Sequence, residues 1–381
     1  MSGMTPRENF WRAVNHQEPE RVPIFWGGTN SSIVPAHYNA LCAALGVRPA
    51  VRPVGDFGTV NLQPELKARF HSDVELLILG SPPRRRLEGG VVQDGMWGFR
   101  MKEVGGYRTF PDTLAPLRRA RNVEDVENHP IWPDPDGAVY CADQRAIAQK
   151  LHGTGKIVLG EASYAGAPFF IYPWLRGVDQ WMMDPYANPG LYHHLATKIT
   201  NLSEAILERW LSDVGEYLDV LCFYDDIAMQ TGPMVSLDHY RRWILPYERR
   251  LVDKARTLTK AKFSIHCCGS CYDLLPGFIE VGYDILNPVQ TRAKDMEASR
   301  LKKDYGERLC FYGGLDIQRL LPFGTPDEVR QGVKDLIRTL GPGGGFLFAT
   351  SHNIEPDTPP ENIVAMFDAA YELGRYPVGL S

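Results

Sequence analysis

Short apolar runs recur along the chain at residues 22–26, 74–79, 156–160, 220–224, 263–268, 284–286, 309–312 and 346–349. Within them the apolar residues are continuous instead of alternating, the pattern of parallel strands covered on both faces. Most are followed by a stretch of helical period. Eight such strand–helix units predict an α/β fold, a closed (β/α)8 TIM barrel. Helix starts agree with this layout. Thr5-Pro6-Arg7-Glu8, Thr325-Pro326-Asp327-Glu328 and Thr358-Pro359-Pro360-Glu361 each predict a threonine N-cap, a proline in the first turn and a glutamate reaching back. After Thr325 the stripe Val329, Val333, Leu336, Ile337 and Leu340 is stopped by Gly341-Pro342. Ser236 opens another helical pattern, in which Pro246 predicts a kink.

Residues 82–121 break the rhythm. Alternation at Val91 and Gln93, and at Gly98, Arg100 and Lys102, reads as hairpins with glycine-rich turns. The expectation is one barrel over residues 1–381, with this segment inserted over one end as a substrate cover. Arg84-Arg85-Arg86 within it reads as a solvated charge run.

Composition narrows the class of protein. A length of 381 residues, 44% apolar and 23% charged, suits an enzyme-sized globular chain. A net charge of -5 gives no basic footprint for nucleic acid, and no apolar stretch is long enough to span a bilayer. The polar N-terminus is unlike a signal peptide. Seven cysteines, an odd number, argue against a disulfide framework. The expected location is the cytoplasm.

The candidate chemistry lies where the apolar runs end. In a barrel of this kind functional groups gather at the C-terminal strand ends. Here those ends carry Gly27-Gly28-Thr29-Asn30, Tyr224-Asp225-Asp226, His266-Cys267-Cys268, Asn287-Pro288-Val289-Gln290, Gly313-Gly314-Leu315-Asp316 and Thr350-Ser351-His352-Asn353. On an extended strand His266 and Cys268 share a face, about 6–7 Å apart at two strand rises. An imidazole and a thiolate at that spacing can share a tetrahedral zinc, and His352 is a candidate third ligand that leaves a position open. Cys268 and Cys271 also have redox C-x-x-C spacing, but a strand end is the wrong context for it. Gly343-Gly344-Gly345 precedes a strand and reads as a turn. Asp225 and Asp226 face opposite sides of an extended chain, so only one is expected at the mouth. Phe25, Trp26, Trp97, Tyr164, Phe169, Phe170, Tyr172 and Trp174 flank the same ends and suit an apolar, ring-shaped substrate.

Taken together, these marks resemble the uroporphyrinogen decarboxylase superfamily along nearly the whole chain. They are Arg21-Val22-Pro23-Ile24-Phe25-Trp26, Tyr164-Ala165-Gly166-Ala167-Pro168, Tyr224-Asp225-Asp226 with Tyr240 and Pro246-Tyr247, and Ile265-His266-Cys267-Cys268-Gly269-Ser270. Further marks are Asp284-Ile285-Leu286-Asn287-Pro288-Val289-Gln290, Phe311-Tyr312-Gly313-Gly314-Leu315-Asp316, and His352-Asn353-Ile354 with Pro359-Pro360-Glu361-Asn362. The resemblance implies the barrel. True decarboxylases of the superfamily carry two arginines after the first strand that meet substrate carboxylates. Aligned on Pro23 and Pro35, those arginines fall on Gly28 and Ser32, and a decarboxylase tyrosine falls on Trp174, whereas His352 is retained. Losing the cations argues against an octa-anionic porphyrinogen substrate.

His-x-Cys instead looks like the corrinoid-linked methyltransferases of the superfamily, in which the pair binds zinc with a cysteine from the last strand. That last position is His352 here. The resemblance therefore implies a zinc-dependent methyltransferase. It would move a methyl group between a small methylated donor, such as a methoxylated aromatic, and a corrinoid (cobalamin) held by a partner protein, with a homodimer an open expectation. Zinc falls to His266, Cys268 and His352; catalytic roles fall to Asp225, Asp226 and His352. Substrate contacts fall to Trp26, Tyr164, Phe169, Tyr172, Trp174, Tyr224, Asn287 and Gln290. The alternative is a decarboxylase of a small or tetrapyrrole carboxylic acid, related to uroporphyrinogen decarboxylase.

Overall fold

The computed structural model describes residues 3–54, 59–104, 107–166 and 168–378. Ala167, in the Gly-Ala-Pro turn singled out above, lies outside them. Seven parallel strands form one sheet: β1 (Val74–Ile78), β2 (Ile157–Glu161), β3 (Val220–Tyr224), β4 (Lys262–His266), β5 (Ile285–Val289), β6 (Cys310–Leu315) and β7 (Phe346–Thr350). Each is hydrogen-bonded to the next in chain order. The first apolar run closes the ring as a single bridge instead of a full strand. Ile24 pairs parallel with Phe348 of β7, and the Asp73 amide, just before β1, donates to the Ile24 carbonyl at 2.9 Å.

Alternation along the strands sorts the side chains. Val74 and Leu76 of β1, Ile157 and Leu159 of β2, and Val220 and Cys222 of β3 fill the barrel interior. Phe10, Ala13 and Val14 of the helix Pro6–Val14 join that cluster. The Ala13 carbonyl accepts from the Gly345 amide, which sets this helix beside the start of β7. The opposite strand faces pack against the surrounding helices, chiefly the long helix Pro189–Val214 and the helices Leu245–Arg256, Pro326–Leu340 and Pro360–Leu373.

The sequence 82–121 contains four short antiparallel strands, Arg85–Arg86, Val91–Gln93, Arg100–Val104 and Tyr107–Thr109. Phe99, just before the third of these strands, packs edge-on against Tyr164 at 5.2 Å and lies 4.8 Å from Trp174, both of which follow β2. The insert therefore stands on the side where the strands end.

Two of the three expected capping boxes are formed, at Thr5 with Glu8 and at Thr325 with Glu328. The third is not. Its helix begins at Pro360 with Pro359 as N-cap, because the second proline moves the first turn one residue along. Thr358 Oγ1 is left buried without a partner among the described residues. At Pro246 the expected kink takes another form. A π turn over Tyr240–Ile244 precedes the α-helix Leu245–Arg256, and Pro246 sits in that helix's first turn, where its missing N–H costs nothing.

These caps yield a paired expectation. Thr325→Ala should lower unfolding free energy by about 1 kcal/mol through loss of the cap. Thr358→Val, which removes an unsatisfied hydroxyl at constant shape, should be neutral or slightly stabilising. Urea unfolding of the two variants checks this; equal losses would contradict the assignment.

Candidate metal centre at the barrel mouth

β4 ends at His266, two residues earlier than the apolar run suggests, and the chain then bends. The bend needs Gly269, whose φ is +90°; a Cβ there would lie 2.7 Å from the Met229 carbonyl oxygen. Three amides in succession fix the turn. Cys268 N–H donates to Asp226 Oδ1 at 2.6 Å, Gly269 N–H to Gln290 Oε1 at 2.9 Å, and Ser270 N–H to the Met229 carbonyl at 2.8 Å.

The result brings Cys268 Sγ to 3.3 Å from His266 Nε2. His352, two residues past β7, faces them, its ring centroid 5.9 Å from that of His266. Ligand atoms of His266, Cys268 and His352 all lie within 4.8 Å of one another, so the three could hold a metal ion. Asn287 Oδ1 lies 2.6 Å from His266 Nδ1. An amide oxygen there accepts the Nδ1 proton and leaves the Nε2 lone pair directed at the cluster. Burial, reinforced by neighbouring His266, pushes His352 down to about 4, so its imidazole is neutral. Burial and then the Asp226 charge push the Cys268 thiol well up.

The remaining expected site residues divide into two groups. Tyr224 faces inward, its ring 5.5 Å from His266. Asp226 Oδ1 lies 3.8 Å from His266 Nε2. Asn287 and Gln290 touch the cluster's own segment, where Gln290 also accepts from Gln230 at 2.8 Å.

Asp225 is not brought to the cluster. It is 1% exposed and turned to the helix layer, where it meets Glu248. Trp26 is likewise outside the mouth. It stacks on Phe367 at 4.3 Å and meets Phe70 edge-on, because its neighbour Phe25 takes the inward position against Tyr312. Phe169 packs near Tyr247, and Tyr172 donates to Asp184 at 3.0 Å, both in the helix layer. Tyr164 and Trp174 belong to an aromatic box with Phe99, Phe110 and Phe170, where Trp174 stacks flat on Phe110 at 3.9 Å.

One inward acid escaped the sequence reading. Glu161, the last residue of β2, is 3% exposed, and burial raises its carboxyl to about 7. The apolar run ends at Gly160. A glutamate directly after it, at a barrel strand end, was the available signal.

The likenesses of this chain to known proteins agree with the architecture. The family described as uroporphyrinogen decarboxylase (URO-D) matches residues 105–373. The chain belongs to the uroporphyrinogen decarboxylase family. It is 23% identical over 380 residues to the uroporphyrinogen decarboxylase of Methylococcus capsulatus, covering 96% of this chain and 97% of that one. It is 26% identical over 270 residues to that of Alkalilimnicola ehrlichii, covering 67% and 68%. Among solved structures, a methyltransferase from Methanosarcina mazei superposes with a TM-score of 0.60 at 17% identity, covering 97% of this chain and 99% of that one. At that identity the likeness speaks for the fold. As a member of the family, the chain has an enzyme's barrel with its polar groups gathered at one end. Among the described residues no helix is long and apolar enough to cross a membrane.

The buried pair behind the mouth has a measurable consequence. Asp225 and Glu248 are both raised, first by burial; Tyr240 and Tyr283 donate to Glu248, which is lifted to about 7. The folded state thus binds protons that the unfolded chain releases from about pH 4.5 upward. This stability is present below that value and lost as pH rises toward 7. Glu248→Gln should flatten the fall in unfolding free energy across this window. An unchanged slope in urea titrations at several pH values would contradict it.

Proposed function

We propose that this chain is a zinc-dependent methyltransferase that takes a methyl group from a small methylated substrate, most simply a methoxylated aromatic, and passes it to a corrinoid on a partner protein. The observation that carries the reading is the convergence of His266 Nε2, Cys268 Sγ and His352 within 4.8 Å at the barrel mouth. Two imidazoles and a thiol form a borderline-soft donor set suited to zinc, with a coordination position left for substrate. Asn287 supports the assignment by presenting the correct nitrogen of His266. When bound, zinc would supply Lewis-acid stabilisation to a departing heteroatom. The chain's own part is to hold the donor near that position, to keep the His266 tautomer through Asn287, and to fix the Cys268 turn through Asp226 and Gln290.

A second reading, decarboxylation, is favoured by the names of the curated relatives and by the presence of His352. Against a porphyrinogen substrate stands the first loop. A Cβ on Gly28 would sit 2.9 Å from Leu159 and 3.3 Å from the Tyr312 hydroxyl, so an arginine has no room there. Ser32 is fully buried, its hydroxyl donating to the Val60 carbonyl at 2.5 Å. Decarboxylation of a less anionic acid stays open as the second reading.

Metal analysis of protein purified without chelator should find about one zinc per chain, and Cys268→Ala should carry almost none while keeping its melting temperature within a few degrees. Zinc-free wild-type protein would sink the centre. Mixing the zinc protein with reduced corrinoid protein and a panel of methyl ethers should change the corrinoid absorption as methyl transfer proceeds. Silence across the panel, together with carbon dioxide release from an organic acid, would favour the second reading. Coproporphyrinogen should not form from uroporphyrinogen at an enzymatic rate.

A further inference from the structure

Glu161 is the last inward side chain of β2. Its strand neighbours Ile157 and Leu159 fill the barrel interior, and in register it stands beside Ile78 of β1 and Cys222 of β3. Its two oxygens have different surroundings. Oε1 accepts twice from Thr29, from the amide at 3.2 Å and from Oγ1 at 2.9 Å. Oε2 is buried and has no hydrogen-bond partner among the described residues.

Thr29 ties this carboxyl to both sides of the metal cluster. Because its hydroxyl proton points to Glu161, its oxygen accepts from the Tyr224 hydroxyl at 3.0 Å, and the Tyr224 ring borders His266. The Thr29 carbonyl accepts from Asn353 Nδ2 at 3.1 Å, next in the chain to His352. With both donors on Oε1, a proton on this acid resides on Oε2. Burial lifts the acid to about 7 against the opposing bonds from Thr29, and no cation contributes. The titratable groups facing it are the Cys222 thiol and the Tyr312 phenol, each itself raised by burial, with the Tyr224 phenol one hydrogen bond away through Thr29. The mouth thus contains an acid that titrates near neutrality and whose Oε2 has no acceptor among the described residues.

We propose that Glu161 donates its Oε2 proton to the departing oxygen of the methyl donor. This rests on the methyltransferase reading and supplies the acid that reading needs. In the step, the bond between methyl carbon and ether oxygen breaks, and its electron pair stays on the oxygen. That oxygen takes the Glu161 proton and leaves as a neutral phenol. The methyl carbon forms its new bond with the electron pair of a cobalt(I) corrinoid on the partner protein. Glu161 is left as a carboxylate, its charge received by the two Thr29 donors. Neither aspartate is as well suited: Asp225 faces the helix layer, and Asp226 is engaged by the Cys268 amide.

Glu161→Gln keeps the shape and an acceptor for Thr29 but has no proton to transfer. In the zinc-loaded protein with reduced corrinoid protein, demethylation of 2-methoxyphenol should fall by about 100- to 10,000-fold. The loss should be much smaller for a ring carrying a nitro group para to the methoxy oxygen, which stabilises the departing phenolate. Infrared difference spectra supply a readout independent of turnover. Wild-type protein should show a carboxylic acid band that titrates near pH 7 and shifts when 2-methoxyphenol binds, and Glu161→Gln should lack it. If the variant does not fold, the band in the wild-type protein still decides: no shift on binding overturns the proposal. Wild-type turnover with equal loss, or none, for both ethers in Glu161→Gln overturns the role of Glu161 and leaves the methyltransferase reading standing. A zinc-loaded wild-type protein that demethylates no ether overturns both.

Discussion

The barrel is held shut at Asp73. Its amide donates to the Ile24 carbonyl, its carboxylate accepts from the Ile24 amide at 2.7 Å, and its carbonyl accepts from Ile157 of β2 at 2.8 Å. Arg21 grips the same carboxylate through two nitrogens at 2.6 and 2.7 Å. A nearly buried charge is tolerable only when paired and fully hydrogen-bonded, and this one is both. The first apolar run has no strand ladder of its own, so this junction and the bridge to Phe348 set its height in the ring. That height places Thr29 against Glu161, and Ser32 against Asn353 beside His352. Loss of the junction would loosen one side of the mouth while leaving β4 and its turn untouched.

The end of β3 shows how a two-residue period distributes chemistry. Tyr224 points to the interior, Asp225 to the helices and Asp226 to the Cys268 turn. Three neighbouring polar residues therefore serve three environments. Asp225 joins Glu248 in a dry layer, where a carboxyl stays protonated, whereas Asp226 remains partly open and accepts from a backbone amide.

Much of this was legible in the sequence. Continuous apolar runs announced parallel strands, and polar residues at their ends announced the mouth. His-x-Cys announced the pair that the structure sets 3.3 Å apart. The same continuity hid other features. A run apolar on both faces carries no inside–outside signal, so Trp26 was assigned to the mouth although Phe25 is the inward ring. Phe169 and Tyr172 were misdirected for a related reason: their helix, Pro168–Arg176, buries more than one face. Thr358 failed as a cap because a second proline displaced the helix start, and Glu161 was overlooked one residue beyond an apolar run. The aromatic misses concern which way a side chain points, which long-range packing decides; the other two concern where an element begins or ends.

The turn after His266 has a further consequence. Cys268, Gly269 and Ser270 each spend a backbone amide on a different piece of the protein, so the main chain that carries the thiol is held at three successive points. Ordering a ligand loop is ordinarily part of the entropy lost when an ion is captured. Here that loss was incurred when the barrel folded. Capture of an ion by these residues would therefore begin from side chains already arrayed, and its temperature dependence would reflect dehydration and thiol deprotonation instead of loop closure.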